Sequence, residues 1–246
     1  MITSSGRYHC STNSNMKISL SDACTIAIEQ SNMAIITDYD LWLIICRLFV
    51  SRQIAGRMIN IRNKLPDTQH LSRTIRVLSK EGLLKPDTDF GTRIFRFTNL
   101  PDHTPEELAC YVDPFCYVSH LSAMEIHGLT DRTPKTLMLT TPSRQIWRIN
   151  AKEKERRDFG ERPQYVVPEG ISIFPHYKMP KKIRGRPIDT LQSKFIGDTE
   201  ILRSPVAAIS TIGQTFVDML ATPHLCGGMP HIMDVWDNEI EVHLDA

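Results

Sequence analysis

The clearest helical alternation of apolar and polar positions in this 246-residue chain falls within residues 67–98. On a helix over 67–81, with about 100° between successive residues, Leu71, Ile75 and Leu78 share one face. The opposite face carries four long polar side chains, Gln69, Arg73, Arg76 and Lys80. The pattern predicts an amphipathic helix with an aliphatic back and a largely cationic front.

A small β-hairpin is predicted to follow this helix. Gly82 would end the helix, because glycine readily adopts the left-handed conformation found at many helix C-termini. An extended segment then begins at Leu83, turns over 87–91 and returns over 92–97. A polar-fronted helix followed by a two-stranded ribbon is typical of a winged helix-turn-helix.

The preceding residues are predicted to supply the rest of that module. Thr37 or Asp38 can cap a helix whose apolar positions recur at helical spacing, namely Leu41, Ile44, Ile45, Leu48 and Phe49. Residues 52–64 carry Ile54, Met58 and Ile61 at intervals of four and three, which favours a second helix. Residues 65–67 would then be the turn before the polar-fronted helix.

Charge strengthens the case for a nucleic-acid partner. Residues 37–98 contain eleven Lys and Arg against six Asp and Glu, a net +5, although the whole chain is only +1. Arginine offers a planar fork of donors to phosphates or guanine edges, and glutamine can pair with adenine edges. A solvated basic helix surface is the alternative, since charge runs often mean no more than that.

The candidate DNA-binding residues follow from this arrangement. Gln69, Arg73, Arg76 and Lys80 would enter the major groove, and His70 of the same helix is a further candidate DNA-binding residue. Lys85 and Arg93 on the hairpin would meet the backbone or the minor groove, and Arg52, Arg57 and Arg62 would hold phosphates. Phosphate contacts fix the register of a protein on DNA, whereas base contacts specify the sequence.

The second half of the chain alternates predicted helices and strands irregularly. Helices are expected from 113–114 to Gly128, from 204–205 through Leu220, and over 230–236 after Cys226-Gly227-Gly228. Strands are expected over 135–140, 171–175 and 199–202, and the charged segment 144–158 is read as a loop or an exposed strand and helix. The predicted fold class is α+β, an N-terminal winged helix-turn-helix followed by a mixed α+β C-terminal domain.

Four regions are predicted from these signals. They are an N-terminal extension, partly disordered, over 1–36; the winged module over 37–98; a linker over 99–112; and the C-terminal α+β domain over 113–246. A short helix over 20–33 could lead into the module. The six cysteines show no CxxC spacing, which fits reduced thiols rather than a zinc site or disulfide scaffold. No membrane span or secretion signal is evident, so a cytoplasmic protein is expected.

Two blocks of the second half resemble a known family. They are YVSHLSAMEIHGLT over 117–130 followed by Pro134-Lys135-Thr136, and TFVDML over 215–220 followed by Pro223 and LCGG over 225–228. These runs resemble the signature of the AbiEi antitoxin family, predicted transcriptional regulators of type IV toxin–antitoxin and phage-defence systems. With the winged module, the resemblance spans most of residues 37–236.

The resemblance implies a repressor of its own operon with a C-terminal domain that supports antitoxicity. The expected partners are double-stranded DNA at an operator inverted repeat, which would suit a homodimer, and a nucleotidyltransferase-like toxin that need not form a stable complex. Two departures from the family pattern are the longer segment before residue 37 and the end at Ala246, where relatives typically continue through further helices.

Enzymatic alternatives are weaker. His120 and His127 lie seven residues apart near Glu125, but two histidines without a third ligand more often pack locally than bind metal. A hydrolase would need a nucleophile elbow, which Ser119 and Ser122 lack. A magnesium-dependent nuclease is the remaining competitor. However, residues 204–246 hold six acidic residues and no Lys or Arg, a surface that would repel DNA. We therefore expect a non-enzymatic protein without cofactor or metal.

Two questions stay open at this level. A non-catalytic module that binds protein or RNA would carry the same winged fold, since fold alone does not decide function. Basic stretches over 144–157 and 178–186 could extend a phosphate-binding footprint or touch RNA, or they could be ordinary solvated surface.

Overall fold

The computed structural model describes residues 17–160, 174–202 and 206–243, which form a mixed α+β protein. The α-helices are α1 (Leu20–Ser31), α2 (Asp38–Ser51), α3 (Thr68–Lys80), α4 (Pro105–Val112), α5 (His120–Ile126), α6 (Arg144–Phe159), α7 (Ile212–Ala221) and α8 (Met229–Glu239). The strands are β1 (Ile35–Thr37), β2 (Gln53–Ile54), β3 (Arg57–Met58), β4 (Leu84–Asp87), β5 (Gly91–Phe97), β6 (Tyr117–Val118), β7 (Leu137–Pro142), β8 (Lys182–Ile183), β9 (Arg186–Ser193), β10 (Thr199–Ile201) and β11 (Ala208–Ser210). Two short 3-10 helices cover Pro223–Leu225 and Ile240–His243.

The N-terminal half packs three helices against a small antiparallel sheet. The strand order of that sheet is β1-β5-β4, and Ile36 of β1 pairs with Phe95 of β5. Helices α1, α2 and α3 contribute apolar side chains to one cluster with the sheet, centred on the fully buried Trp42, Leu78 and Phe97. The predicted helix that starts near Asp38 and the predicted hairpin over 83–97 are both confirmed.

Residues 17–36, predicted to be part of an extension, contribute directly to this core. Ser19 caps α1 and forms a capping box with Asp22, which satisfies donors at the start of the helix. Ala23, Cys24 and Ile28 of α1 are fully buried. The short helix expected here is therefore present as Leu20–Ser31. The disorder predicted over residues 1 to about 18 falls on residues that are not described, except for Lys17 and Ile18, and the backbone of Ile18 bonds to Met58 and Asn60.

The second helix predicted over 52–64 is wrong. Helix α2 ends because Arg52 takes a left-handed conformation (φ 58°). Strands β2 and β3 then form a two-residue hairpin around Ala55 and Gly56, both with positive φ, as such tight turns require. The apolar spacing favours a helix, and Ile54 and Ile61 do pack on the core. The chain between them, however, makes a tight turn and then runs extended.

A six-stranded sheet organises the second half, in the order β10-β11-β6-β7-β9-β8. Strands β7 and β9 pair in parallel over six residues from Leu137↔Ile188, with the helix α6 lying between them in sequence. Strand β7 is buried along its whole length, as expected for a central strand. The strands predicted over 135–140 and 199–202 are confirmed within two residues of their predicted bounds.

Three predicted elements of this half change. The helix expected from 113–114 starts only at His120, because the Asp113 carboxylate is buried and accepts hydrogen bonds from Thr141 and Trp147, and 117–118 form β6. The helix expected from 204–205 starts at Ile212; residues 203–205 are not among those described, and 208–210 form β11. The segment 144–158, left open between loop, strand and helix, is the helix α6.

Two smaller points complete the comparison. The last helix, predicted over 230–236, is confirmed as α8. Most of the strand predicted over 171–175 lies outside the described residues, and Phe174 and Pro175, which are described, are not in a strand.

The two halves are joined by packing rather than by a free tether. Helix α4 occupies 105–112 of the predicted linker, and its Leu108 and Ala109 are fully buried. The same apolar cluster includes Ile35 and Ile94 from the first sheet together with β6, β7 and β11 residues of the second. Over the described residues, no helix is both long and apolar enough to cross a bilayer.

Candidate nucleic-acid interface

Helix α3 is held firmly at both ends. Asp67 caps its N-terminus, accepting from the backbone N–H of His70 at 3.0 Å, while the His70 ring bonds back to Asp67 in a capping box. At the other end Gly82 has φ +77°, and the N–H of Leu83 donates to the carbonyl of Leu78 at 2.9 Å. This pattern is a Schellman motif, in which a left-handed glycine closes the last turn.

The two faces of α3 differ as the sequence predicts. Leu78 and Thr74 are buried, and Leu71 and Ile75 pack against the core. Gln69, Arg73, Arg76 and Lys80 are all exposed. Across 17–160, 174–202 and 206–243, no ion pair or side-chain hydrogen bond engages these four residues. Their donors are therefore available to an external acceptor.

His70 differs from its neighbours on α3. Its Nδ1 lies 2.6 Å from the Asp67 carboxylate, and its ring packs edge-on against Phe49 at 4.9 Å between centroids. These interactions make His70 a capping and packing residue, and the DNA contact predicted for it would have to compete with them.

The cationic front of α3 borders two adjoining depressions. The first, of about 570 Å³, is lined by α3 residues that include Gln69, Arg73 and Arg76, together with Asn63. The second, of about 430 Å³, lies between α3, the start of α1 and the extended segment 60–63. Arg73 and Asn63 line both depressions, so they stand on the ridge between them.

Arg52 is engaged within the molecule. Its guanidinium donates to the backbone carbonyls of Ile61, Asn63 and Lys64, at 3.2, 2.8 and 3.2 Å, and lies over the Phe49 ring. These bonds hold the segment that leads into α3. The phosphate contact predicted for Arg52 would have to compete with these bonds.

Arg57 and Arg62 remain exposed in the connection between α2 and α3. Arg57 begins β3 at the tip of the β2–β3 hairpin, and Arg62 lines the second depression beside Arg73. Within the described parts of the chain, neither side chain has an ion pair or a hydrogen bond.

Side chains at and near the tip of the β4–β5 hairpin form ion pairs with other parts of the protein. Arg93 pairs with Asp38 at 2.6 Å and lies over the Tyr177 ring. Arg184, from the β8–β9 turn, donates to Asp87 at 2.8 Å, to Asp89 at 2.6 Å and to Asp102 at 2.8 Å. Of the two predicted hairpin contacts, Lys85 is exposed, whereas Arg93 is already engaged within the molecule.

The acidic residues near the interface are largely neutralised internally. Burial opposes ionisation of Asp87, but hydrogen bonds from Arg184 outweigh it and hold the pKa of Asp87 below its ordinary value. Asp38 is paired with Arg93, and Asp102 with both Arg96 and Arg184. These three carboxylates are therefore paired within the molecule, whereas Glu81 at the end of α3 stays exposed.

The two histidines singled out in the sequence pack locally. His127 bonds through Nε2 to the carbonyl of Ser210 at 2.6 Å, and His120 lies 2.8 Å from the Ser119 hydroxyl. Burial lowers the pKa of His120. Ser119 is fully buried, so no substrate could reach its hydroxyl. Among the described residues, no group of three or more His, Cys, Asp and Glu has the geometry of a metal site.

The other basic stretches divide into internal and exposed cations. Arg184 and Arg186 point to carboxylates, since Arg186 pairs with Glu106. On α6, Lys154 pairs with Asp158 and Arg156 with Glu153. The α6 cations that stay exposed and have no ion pair in the described part of the chain are Arg144, Arg148, Lys152 and Arg157.

Sequence reasoning misses the role of Arg184 and the contribution of Asn60 and Asn63. Arg184 has a positive φ of 50° and directly precedes Gly185. An arginine–glycine pair in a polar segment suggests a turn, but it does not reveal which carboxylates the arginine meets. Asn60 and Asn63 line the second depression beside two arginines, where amide side chains can also donate to phosphate oxygens. They lie inside the segment whose periodicity wrongly predicts a helix, so the sequence does not reveal their placement.

Neither the comparison with protein-family models nor the comparison with curated proteins returns a match for this chain.

Proposed function

We propose that this protein is a DNA-binding transcriptional repressor whose N-terminal half acts as a winged helix-turn-helix. The observation that carries the proposal is the front of α3, where Gln69, Arg73, Arg76 and Lys80 are exposed and have no internal acceptor among the described residues. The order α1-β1-α2-β2-β3-α3-β4-β5 with sheet order β1-β5-β4 supports it, because that arrangement places the capped helix α3 directly before a hairpin.

The dimensions of α3 suit a duplex groove. A helix of 13 residues is about 20 Å long, and the major groove of B-form DNA, about 12 Å wide, admits one helix. Arg73 and Arg76 would supply bidentate donors to guanine or phosphate, and Gln69 could pair with adenine. Because the β4–β5 tip is held by Arg184, Lys85 on its outer strand is the hairpin residue left to meet the backbone.

The regulatory part of the proposal is autoregulation of an operon that encodes a nucleotidyltransferase-like toxin, with this chain as antitoxin. It rests on the resemblance of residues 117–136 and 215–228 to the AbiEi family. The absence of a family-model match leaves the antitoxin role to be tested by co-expression with the neighbouring gene product. Restored growth of cells expressing that toxin would support it, and continued arrest would contradict it.

Operator binding is tested by a gel shift with the fragment upstream of the gene and a scrambled duplex of equal length. We expect salt-sensitive binding to the first and much weaker binding to the second. The double variant Arg73→Ala/Arg76→Ala should lose roughly 2–6 kcal/mol of specific binding if both residues read bases. The matched control is Arg144→Ala/Arg148→Ala on α6, which should bind like the wild type.

An unchanged shift for the Arg73/Arg76 variant would exclude α3 as the reading helix. Equal binding to both duplexes, or no binding, would instead favour a non-catalytic interaction module. One observation supports that second candidate. Val217 and Leu220 of α7 and Met233 of α8 are about half exposed, at 57, 52 and 52%, and residues 204–246 contain no Lys or Arg. Such a surface would suit a protein partner better than a nucleic acid.

A further inference from the structure

The connection between α2 and α3 is the most unusual feature of the N-terminal half. It runs for 16 residues, from the end of α2 at Ser51 to the start of α3 at Thr68, where a helix-turn-helix ordinarily uses about 3–4. It contains the β2–β3 hairpin, the extended segment 59–63 and two exposed arginines, Arg57 and Arg62. We propose that this connection is a second nucleic-acid contact element, which grips a backbone phosphate beside α3.

The connection is organised before any ligand arrives. Ile59 is buried and lies next to Ile18, whose N–H donates to Met58 and whose carbonyl accepts from Asn60, both at 2.9 Å. On the other side Arg52 holds the carbonyls of Ile61, Asn63 and Lys64. Because its backbone is already held on both sides, this element loses little backbone freedom when its side chains bind.

The chemistry of the depression between this segment and α3 is that of a phosphate site. Arg62 of the connection and Arg73 of α3 both line it, and Asn60 and Asn63 add amide donors. No Asp or Glu is among the described residues that line this depression, and the Asp22 carboxylate of α1 is engaged in a capping box, where it accepts from the N–H of Ser19 at 3.2 Å. Two guanidinium groups without an internal partner in the described chain, together with two amide side chains, supply the donors that a phosphodiester accepts.

The hairpin extends this site outward. Arg57 lies three residues before Asn60 along an extended chain, a separation of about 10 Å. It stands beside the exposed Met58 at the tip, well clear of the depression. A duplex lying with one phosphate between Arg62 and Arg73 would bring a neighbouring part of the same backbone toward Arg57.

This inference rests on the proposed DNA-binding function. Its test can fail while operator binding by the protein stays intact, so the two failures are distinguishable. The affinity of the full-length protein for the upstream duplex is measured from 50 to 300 mM salt for the wild type, Arg57→Ala, Arg62→Ala and the control Arg148→Ala. Removal of one phosphate-binding side chain should flatten the slope of log K against log salt by about 0.9. We expect Arg57→Ala and Arg62→Ala to bind about tenfold more weakly at low salt, on operator and scrambled duplex alike.

Three outcomes decide the matter. Flattened slopes for Arg57→Ala and Arg62→Ala with an unchanged Arg148→Ala would support the second contact element. Wild-type slopes and affinities for both variants, with operator binding intact, would overturn it and leave α3 as the only reader tested. A loss of operator preference in Arg62→Ala, without a change in slope, would overturn the phosphate assignment and make Arg62 a base-reading residue. Circular dichroism and the melting temperature verify that each variant is folded.

A separate arm addresses the source of the phosphate. Isothermal titration with inorganic phosphate, and with a single-stranded RNA of the operator sequence, is compared with the duplex. Binding of the duplex alone supports the inference. Tighter binding of the RNA, with the same weakening in Arg57→Ala and Arg62→Ala, would overturn the duplex assignment in favour of an RNA partner.

Discussion

Arg184 joins three carboxylates of the N-terminal half through one guanidinium. Its side chain is 19% exposed and Asp87 only 1%, so the ion pairs are largely shielded from water. Asp89 and Asp102 complete the set, and the backbone N–H of Arg184 also donates to Asp89. Removing one member of a buried ionic group leaves uncompensated charge behind, which costs more than the net value of the pairing. Arg184 is thus the residue that fixes the β4–β5 hairpin against the second sheet.

The variant Arg184→Ala is expected to lower the free energy of unfolding by about 3 kcal/mol, because Asp87 stays buried without its partner. Urea unfolding followed by circular dichroism measures it. The pKa of Asp87 and that of Asp102 are held below the ordinary value, so their stabilising contribution is present above an unfolded-state pKa of about 3.9 and is lost as the pH falls through the folded-state pKa. The difference in unfolding free energy between the wild type and Arg184→Ala should therefore shrink in acid.

Lys182→Ala is the matched control for that prediction, since Lys182 is exposed on the same hairpin and has no ion pair among the described residues. Its unfolding free energy should stay within about 0.5 kcal/mol of the wild type. Equal stability of Arg184→Ala and wild type at neutral pH would show that the three-carboxylate interaction contributes nothing.

Helix α3 illustrates what local signals can and cannot determine at the level of an element. The cap at Asp67, the aliphatic stripe and the stop at Gly82 all lie within or beside the helix, so its predicted bounds of 67–81 agree with Thr68–Lys80 to one residue at each end. In the segment 52–64 the same kind of reasoning predicts a helix where the chain forms a hairpin and an extended segment. There the deciding interactions are the backbone bonds of Ile18 with Met58 and Asn60, which join distant parts of the sequence and which periodicity cannot register.

Gly82 provides a test at this scale. Gly82→Ala should lower the unfolding free energy by about 1–2 kcal/mol, because φ is +77° and no neighbouring atom would clash with the added Cβ, leaving conformational strain as the cause. Thermal unfolding measures the change. Ser79→Ala, at an exposed position of the same helix, serves as the control and should be nearly neutral. A neutral Gly82→Ala would mean that the Schellman turn does not stabilise α3.

At the scale of the whole molecule, the two sheets share one continuous interior. Ile35 and Ile94 of the first sheet lie in the same apolar cluster as Val118 and Leu139 of the second. The cysteines follow this burial: Cys24, Cys46, Cys110, Cys116 and Cys226 are all buried and none of them forms a disulfide. Burial raises the pKa of Cys24, Cys46 and Cys226 to about 12, so at neutral pH these thiols are protonated and unreactive.

Thiol labelling should therefore report the folding of the entire chain. In a Cys10→Ser variant, a thiol-specific reagent at pH 7.5 should label the native protein slowly and all five remaining cysteines after denaturation. The reagent count per molecule, read by mass spectrometry over time, gives the result. Rapid labelling of Cys110 or Cys116 in the native state would show that the junction between the halves opens readily.

The sequence by itself determined the elements whose causes are local: α2, α3, the β4–β5 hairpin and α8, together with the polar front of α3. Only the tertiary structure decided which cations of that half are available. Arg93 meets Asp38 across 55 positions of the chain and Arg184 meets Asp87 across 97, while Arg52 turns inward to three carbonyls. The physical reason is range: caps, turns and periodicity act over a few residues, whereas the pairing of a charge depends on whichever acceptor the fold brings within about 4 Å.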